Sequence, residues 1–175
     1  KTMTTTTSKP VVMVSGFEPF GYESPGKKRK INASWIVAEH IKKNRPVNAQ
    51  KIQLKAMRLS VSWGATYRLG KKRLFGREPL IYKPDIWIAF GETGKSSQFQ
   101  IELKADPKNF GTKKKRKNGI PQHLRKKYPE TDERDNDLQL CRELWDHLND
   151  KDYPTKLSKN AGGFICQQML YTLLS

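Results

Sequence analysis

Two short, uninterrupted apolar runs constrain the fold of this 175-residue chain more than any other feature. The first is Val-Val-Met-Val at 11–14 and the second is Ile-Trp-Ile-Ala-Phe at 86–90, and each leads into a turn that contains glycine. Apolar runs of this length, bounded by turns, predict strands that are buried on both faces, as is typical of parallel sheets. We therefore expect these two segments to form adjacent, buried strands.

Segments with a helical pattern separate the predicted strands. Asn32 is suited to cap the first of these helices, and Cys141 lies on the apolar stripe of the third. That stripe comprises Leu138, Cys141, Leu144, Trp145 and Leu148. The predicted elements are helices at 33–43, 63–75 and 138–148 and shorter strands at 52–56 and 155–158. Strands that alternate with helices predict right-handed crossovers, and hence a three-layer α/β/α sandwich with a mainly parallel sheet.

The length of the chain suits one domain with a real core, although only 35% of its residues are apolar. We expect a flexible, threonine-rich lead-in at 1–10 and a single domain at 11–175. Basic insertions are expected within that domain near 22–31 and 107–127. No run approaches the roughly 18 apolar residues that a membrane span requires, so we expect no membrane association.

Cys166 stands where a cysteine is most easily activated. It follows a small, glycine-containing turn at 160–163 and begins an apolar segment with a helical pattern. The first turn of a helix carries unpaired N–H groups and the positive end of the macrodipole, and both favour a thiolate. This position predicts a cysteine nucleophile. The alternative is a buried structural cysteine, because free cysteines are among the most buried residues.

Four short motifs, in the same order along the chain, carry a family resemblance. They are Gly-Phe-Glu-Pro-Phe-Gly at 16–21, Asn-Ala-Ser-Trp at 32–35, Gly-Glu-Thr-Gly at 91–94 with Glu102 downstream, and Ala-Gly-Gly-Phe-Ile-Cys at 161–166. Together these motifs resemble those of pyroglutamyl peptidase I, a family of cysteine peptidases that remove an N-terminal pyroglutamate. The resemblance extends from residue 11 to the end of the chain.

The resemblance implies roles for individual residues. Cys166 matches the family's nucleophile, and Glu102 matches a glutamate that supports catalysis. Phe17 and Phe20 match aromatic positions that line the pocket for the lactam ring. The implied chemistry is acyl transfer through a thioester, which needs a base to take the thiol proton and return it to the leaving amine. Neither a metal nor a cofactor is expected, since the two cysteines of the chain have no metal-site spacing.

The base that this chemistry needs is not evident in the sequence. In the family a histidine follows the nucleophile, whereas no histidine follows Cys166 here. The histidines present, His40, His123 and His147, match no catalytic position of the family. Two explanations stay open. The site has lost its activity, or the histidine belongs to a part of the protein outside this sequence.

The charge of the chain suggests a different kind of function. Lys and Arg number 34 against 17 acidic residues, which gives a net charge of +17. Two basic runs are prominent: Lys27, Lys28, Arg29 and Lys30, and Lys113, Lys114, Lys115, Arg116 and Lys117. Such runs are often only solvated loops. On a chain this basic they favour a polyanionic partner, and we expect that partner to be structured RNA bound through its phosphates.

Two functions therefore compete. The first is a peptidase fold that serves as a non-catalytic structural or RNA-binding subunit of a ribonucleoprotein, for instance a mitochondrial ribosome. The alternative is an active pyroglutamyl peptidase whose histidine-bearing C-terminal part is missing from the sequence. A reducing, intracellular compartment is expected in both cases, mitochondrial for the first and cytoplasmic for the second.

Overall fold

The computed structural model describes residues 9–45, 47–70, 84–93, 96–110, 120–128, 133–159, 161–162 and 165–174. These residues fall into two compact units. The described residues of the first unit lie within Lys1–Leu59 and Leu80–Glu92, and those of the second within Ser60–Pro79 and Thr93–Ser175. The predicted single domain at 11–175 stays a prediction, and most of the predicted lead-in lies outside the described residues.

The first unit is built on a three-stranded parallel sheet. Its elements are β1 (Val11–Phe17), β2 (Tyr22–Ser24), β3 (Lys27–Lys28), α1 (Ala33–Lys43), a 3-10 turn (Val47–Lys51), β4 (Gln53–Leu59) and β5 (Ile86–Ala89). The strand order is β4-β1-β5, with both pairings parallel, whereas β2 and β3 form a short antiparallel hairpin. The first expected basic insertion is therefore a β-hairpin.

Helix α1 packs against β1 and β4 and forms the core of this unit. Val14, Ala38 and Leu54 are its fully buried members. The predicted cap is confirmed, because the Asn32 side chain accepts a hydrogen bond from the Ser34 amide at 3.0 Å. At Gly16 a Cβ atom would lie 2.2 Å from the Ser34 carbonyl oxygen, so glycine is what allows β1 to approach the start of the helix so closely.

The predicted strands at 11–14 and 86–90 are adjacent, as expected, but β5 is not buried on both faces. Val14 is buried, whereas Ile86 and Ile88 are 43% and 40% exposed. Within the described residues β5 is an edge strand, and α1 covers β1 and β4. An apolar run thus predicted the strand correctly and its burial wrongly.

In its described residues, the second unit contains two small sheets and the longest helix of the described chain. Its elements are α2 (Trp63–Gly70), β6 (Phe99–Glu102), β7 (Lys104–Ala105), a 3-10 turn (Pro107–Asn109), α3 (Gln122–Arg125), β8 (Arg134–Asp135), α4 (Leu138–Asp150), β9 (Thr155–Ser158) and α5 (Ile165–Leu173). Strands β6 and β9 are parallel, and β7 and β8 are antiparallel. None of the helices in the described part of the chain has both the length and the apolar character of a membrane span.

The apolar stripe of α4 is less buried than its periodicity predicts. Cys141 is buried, as expected, but Leu138 and Leu144 are 46% and 42% exposed. The helix packs against β9, and the Trp145 indole donates a hydrogen bond to the Thr155 carbonyl oxygen at 2.9 Å. In the described residues the sheet beneath α4 has two strands about 4.8 Å apart, too narrow to cover the whole stripe.

The predicted fold class is confirmed: the chain is a mixed α/β protein, and the longer strand pairings among its described residues are parallel. Both antiparallel pairs of the described residues involve strands of only two or three residues. The predicted helix at 63–75 is described as far as residue 70. Of the second basic insertion, 111–119 lies outside the described residues.

Candidate active site

Cys166 is the second residue of α5, so its predicted position at a helix N-terminus is confirmed. Shortly before the helix, Gly162 has a φ of +83°, a left-handed conformation that favours glycine. The helix itself is mostly buried, with Met169 and Tyr171 in the core of the second unit. A well-packed helix therefore carries the thiol.

The protonation state of Cys166 differs from the one its position predicts. Burial and, after it, the nearby Glu102 carboxylate raise the pKa of the Cys166 thiol to about 11, although a hydrogen bond from the residue's own backbone N–H lowers it. The free energy needed to remove a thiolate from water is larger here than the stabilisation that the helix N-terminus provides. The predicted bias towards thiolate is thus wrong for the described residues, and the thiol is protonated at neutral pH.

Glu102 reaches the same site from the end of β6. Strands β6 and β9 are parallel, with Glu102 opposite Ser158, so both strands end at the same edge of the sheet. Helix α5, which carries Cys166, follows β9 in the chain, and the Glu102 carboxylate lies near enough to the thiol to raise its pKa. A hydrogen bond holds the backbone at this edge in place, because the Asn136 side chain donates to the Glu102 carbonyl oxygen at 3.0 Å.

Two buried glutamines anchor the helix that carries the thiol. Gln167 Nε2 donates to the Asp106 carbonyl oxygen at 3.4 Å, and Gln168 Nε2 donates to the Trp63 carbonyl oxygen at 3.0 Å. Gln168 Nε2 also lies 2.7 Å from the phenol oxygen of Tyr128, to which it donates. Both glutamines are fully buried. These positioning contacts were missed from the sequence, although a Gln-Gln pair in an apolar helix was a signal that could have revealed them.

An aromatic cluster lies beside Gln168. Tyr128 contacts both Phe110 and Tyr171 edge to face, with ring centroids 5.1 and 5.3 Å apart. Burial raises the pKa of Tyr128, while its hydrogen bonds with Gln168 and Thr172 lower it. The Arg134 guanidinium lies 4.1 Å from the centroid of the Tyr171 ring. The cluster fixes α5 from the side and therefore helps to fix the position of Cys166.

No histidine contributes to the electrostatics of Cys166 among the residues that the structure describes. His123 in α3 and His147 in α4 are exposed, and so is His40 in α1, beside Asn44. Over the same described residues, no three His, Cys, Asp or Glu side chains are arranged to hold a metal ion. What the described site offers is a protonated thiol beside a carboxylate.

The predicted pocket residues Phe17 and Phe20 lie in the first unit, at the end of β1. Phe17 is buried, and its amide donates to Ser34 Oγ at 2.9 Å. Phe20 is 44% exposed. Their role in lining a lactam pocket stays a prediction.

The first basic run is only partly available to a partner. Lys27 forms an ion pair with Glu23 at 2.7 Å, and the half-buried Arg29 forms one with Glu92 at 2.6 Å. Lys28 and Lys30 are exposed. The second run, Lys113–Lys117, lies outside the described residues. RNA binding by either run stays a prediction, and Arg29 has an intramolecular role that the sequence did not predict.

Comparison with known proteins finds similar solved structures but no matching family profile or curated sequence. The pyrrolidone carboxyl peptidase of the thermophilic, keratin-degrading bacterium Fervidobacterium islandicum AW-1 has a TM-score of 0.69 at 24% identity, over 93% of this chain and 71% of that one. A mutant pyrrolidone carboxyl peptidase from Pyrococcus furiosus has a TM-score of 0.68 at 24% identity, over 94% and 72%.

Pyroglutamyl peptidase I of Bacillus amyloliquefaciens is similar at a TM-score of 0.63 and 22% identity, over 94% of this chain and 73% of that one. At these identities the likeness establishes the fold and nothing finer. This protein has the α/β fold of the pyroglutamyl peptidases.

Proposed function

We propose that Cys166 and Glu102 belong to a thiol acyl-transfer site of the pyroglutamyl peptidase type. The observation that carries the proposal is the joint placement of a helix-start cysteine and a strand-end carboxylate at one edge of the β6–β9 sheet. The fold is that of proteins named as pyroglutamyl peptidases, which supports the same chemistry for this chain.

The reaction would proceed in two steps. The Cys166 sulfur attacks the carbonyl carbon of an N-terminal pyroglutamyl residue, and the C–N bond to the next residue breaks as the amine leaves with a proton. Water then hydrolyses the thioester, which releases pyroglutamate and restores the thiol. Both steps need a general base, and a thiol with a pKa of about 11 cannot supply its own nucleophile at neutral pH.

We propose that the general base is supplied by a group outside these 175 residues. The three histidines of the sequence are all exposed, and none shifts the pKa of Cys166. By themselves, these 175 residues are therefore expected to bind and slowly react with a pyroglutamyl group but not to turn it over.

A pair of matched labelling reagents tests this proposal. One is a pyroglutamyl diazomethyl ketone, and the other is its prolyl analogue, which lacks the lactam carbonyl. Cys166 should be modified faster by the pyroglutamyl reagent, with Cys166→Ala as the control for the modified residue. Adding imidazole, a diffusible base, should speed this modification and permit slow, Cys166-dependent hydrolysis of a pyroglutamyl amide. Equal labelling by the two reagents would refute the assignment of substrate.

The second candidate function is a non-catalytic, RNA-binding subunit of a ribonucleoprotein, with the mitochondrial ribosome as one setting. It is favoured by the net charge of +17 and by the exposure of Lys28 and Lys30 on the β2–β3 hairpin. Lysine ammonium groups suit contacts with phosphates without reading bases. Binding to a structured RNA, measured across a range of salt concentrations, separates this function from the first.

A further inference from the structure

Residues 17–21, called the 17–21 loop here, comprise the last residue of β1 and the loop after it, and polar contacts fix both ends of this segment. At its start, the Phe17 amide donates to Ser34 Oγ at 2.9 Å, and the Glu18 amide donates to the Leu59 carbonyl oxygen at 2.8 Å. At its far end, the Arg29 amide donates to the Gly21 carbonyl oxygen at 3.1 Å. The start therefore rests on the first unit's sheet and helix, and the end rests on the β2–β3 hairpin.

Glu92 connects that hairpin to the start of α1. It follows β5 and lies in the first unit. Its Oε1 accepts a hydrogen bond from Arg29 Nη2 at 2.6 Å, and its Oε2 accepts one from the Ala33 amide at 3.2 Å. One carboxylate thus accepts hydrogen bonds from a guanidinium and from the first amide of a helix, and both groups favour negative charge.

We propose that Arg29 and Glu92 form a positioning pair that holds the 17–21 loop in place. The loop has little packing of its own at its far end, where Phe20 is 44% exposed and Gly21 has φ of +76°. Its position there depends on Arg29, whose backbone holds Gly21 while its side chain is fixed by Glu92. This inference rests on the proposed function in one respect, since it makes the pair a determinant of lactam recognition by Phe17 and Phe20.

The pair is suited to positioning more than to global stability. The Arg29 and Glu92 side chains are 31% and 21% exposed, and partly exposed ion pairs contribute little to the free energy of unfolding. Loss of the pair should therefore loosen the loop while the fold persists. Lys28 and Lys30 flank Arg29 in the same basic run and are exposed, so they provide controls for a simple change of charge.

Amide hydrogen exchange in the 175-residue chain tests the pair directly. The variants are Arg29→Gln, Glu92→Gln and the double variant, with Lys28→Gln and Lys30→Gln as controls. Each single variant should speed exchange of the residue 29 amide about tenfold, and the double variant should add little, because the two side chains act as one unit. The controls should match the parent chain. Unchanged exchange in both single variants would overturn the proposal.

A second measurement separates this inference from the proposed function. Exchange is repeated in the presence of free pyroglutamyl amide. In the parent chain this ligand should slow exchange of the Phe17 and residue 29 amides, and in Arg29→Gln it should slow them much less. No protection in the parent chain would count against the proposed function, while exchange without ligand would still decide the pair. Equal protection in the parent and in Arg29→Gln would overturn the role of the pair in recognition.

Discussion

The pKa of Cys166 gives the sharpest prediction, because burial and the helix N-terminus push it in opposite directions. With a pKa of about 11, about one Cys166 side chain in 10⁴ is a thiolate at pH 7. An ordinary cysteine, with a pKa of about 8.5, has about three in 100. Because only the thiolate is alkylated, Cys166 should react with iodoacetamide roughly 300-fold more slowly than an exposed cysteine.

The assay is a pH series of alkylation rates read by mass spectrometry. Cys141→Ala serves as the parent, since burial and the Asp137 carboxylate raise the pKa of Cys141 as well and its reaction would overlap. The rate at Cys166 should rise about tenfold per pH unit and level off only near pH 11. Circular dichroism at each pH confirms that the protein is still folded.

Glu102→Gln tests the second cause in the same assay. Removing the carboxylate charge should lower the pKa of Cys166, so the whole profile moves to lower pH, by less than burial raises it. A parent profile that levels off at pH 8.5 or below would refute the reasoning, because the helix N-terminus would then outweigh desolvation. A profile that Glu102→Gln leaves unchanged would show that the two side chains do not interact.

Three further predictions follow from other features of the chain. Gly16→Ala should destabilise the chain by about 3 kcal/mol in urea unfolding, since its Cβ would meet the Ser34 carbonyl oxygen at 2.2 Å, and a fully stable variant would contradict that close approach. Because the pKa of Cys166 is raised in the folded state, it contributes about 3 kcal/mol to the free energy of unfolding below about pH 8.5. This contribution should be lost between about pH 8.5 and 11 in the parent chain, whereas Cys166→Ala should show no such loss. Replacing the four lysines of 113–117 with Ala should flatten the salt dependence of RNA binding by about 0.7 to 0.9 for each phosphate that the variant no longer neutralises, whereas an unchanged slope would mark the run as a solvated loop.

The sequence predicted the elements of this fold better than it predicted their burial. Local signals placed α1 at 33–43, because Asn32 is a strong cap and the apolar spacing is regular. Burial depends on what covers a strand or helix, and apolar periodicity does not contain that information. The exposed side chains of β5 and the exposed flank of α4 are both cases of this kind.

The site was predicted in position but not in electrostatic state. A glycine-containing turn before an apolar helix is a local signal, and it placed Cys166 at the helix start correctly. The pKa of the thiol depends on residues distant in sequence, 64 positions away in the case of Glu102, and no local pattern reports them. The role of Arg29 was hidden for the same reason, since its partner Glu92 lies 63 residues further along the chain.

Glu102 can promote formation of the Cys166 thiolate only if a positive charge lies between or beside the two side chains. A helix N-terminus stabilises an anion by about 0.3 to 1 kcal/mol at most sites, which is less than one pKa unit. The Glu102 carboxylate opposes even this, because it repels the thiolate. The same carboxylate would stabilise the cation formed when a neutral base accepts the thiol proton, and that cation would in turn stabilise the thiolate. The carboxylate therefore opposes ionisation of the thiol alone, but it favours transfer of the thiol proton to a neutral base. Rescue by imidazole should accordingly be weaker in Glu102→Gln than in the parent chain, although the free thiol of that variant is the more acidic, and stronger rescue in the variant would refute this view of the site.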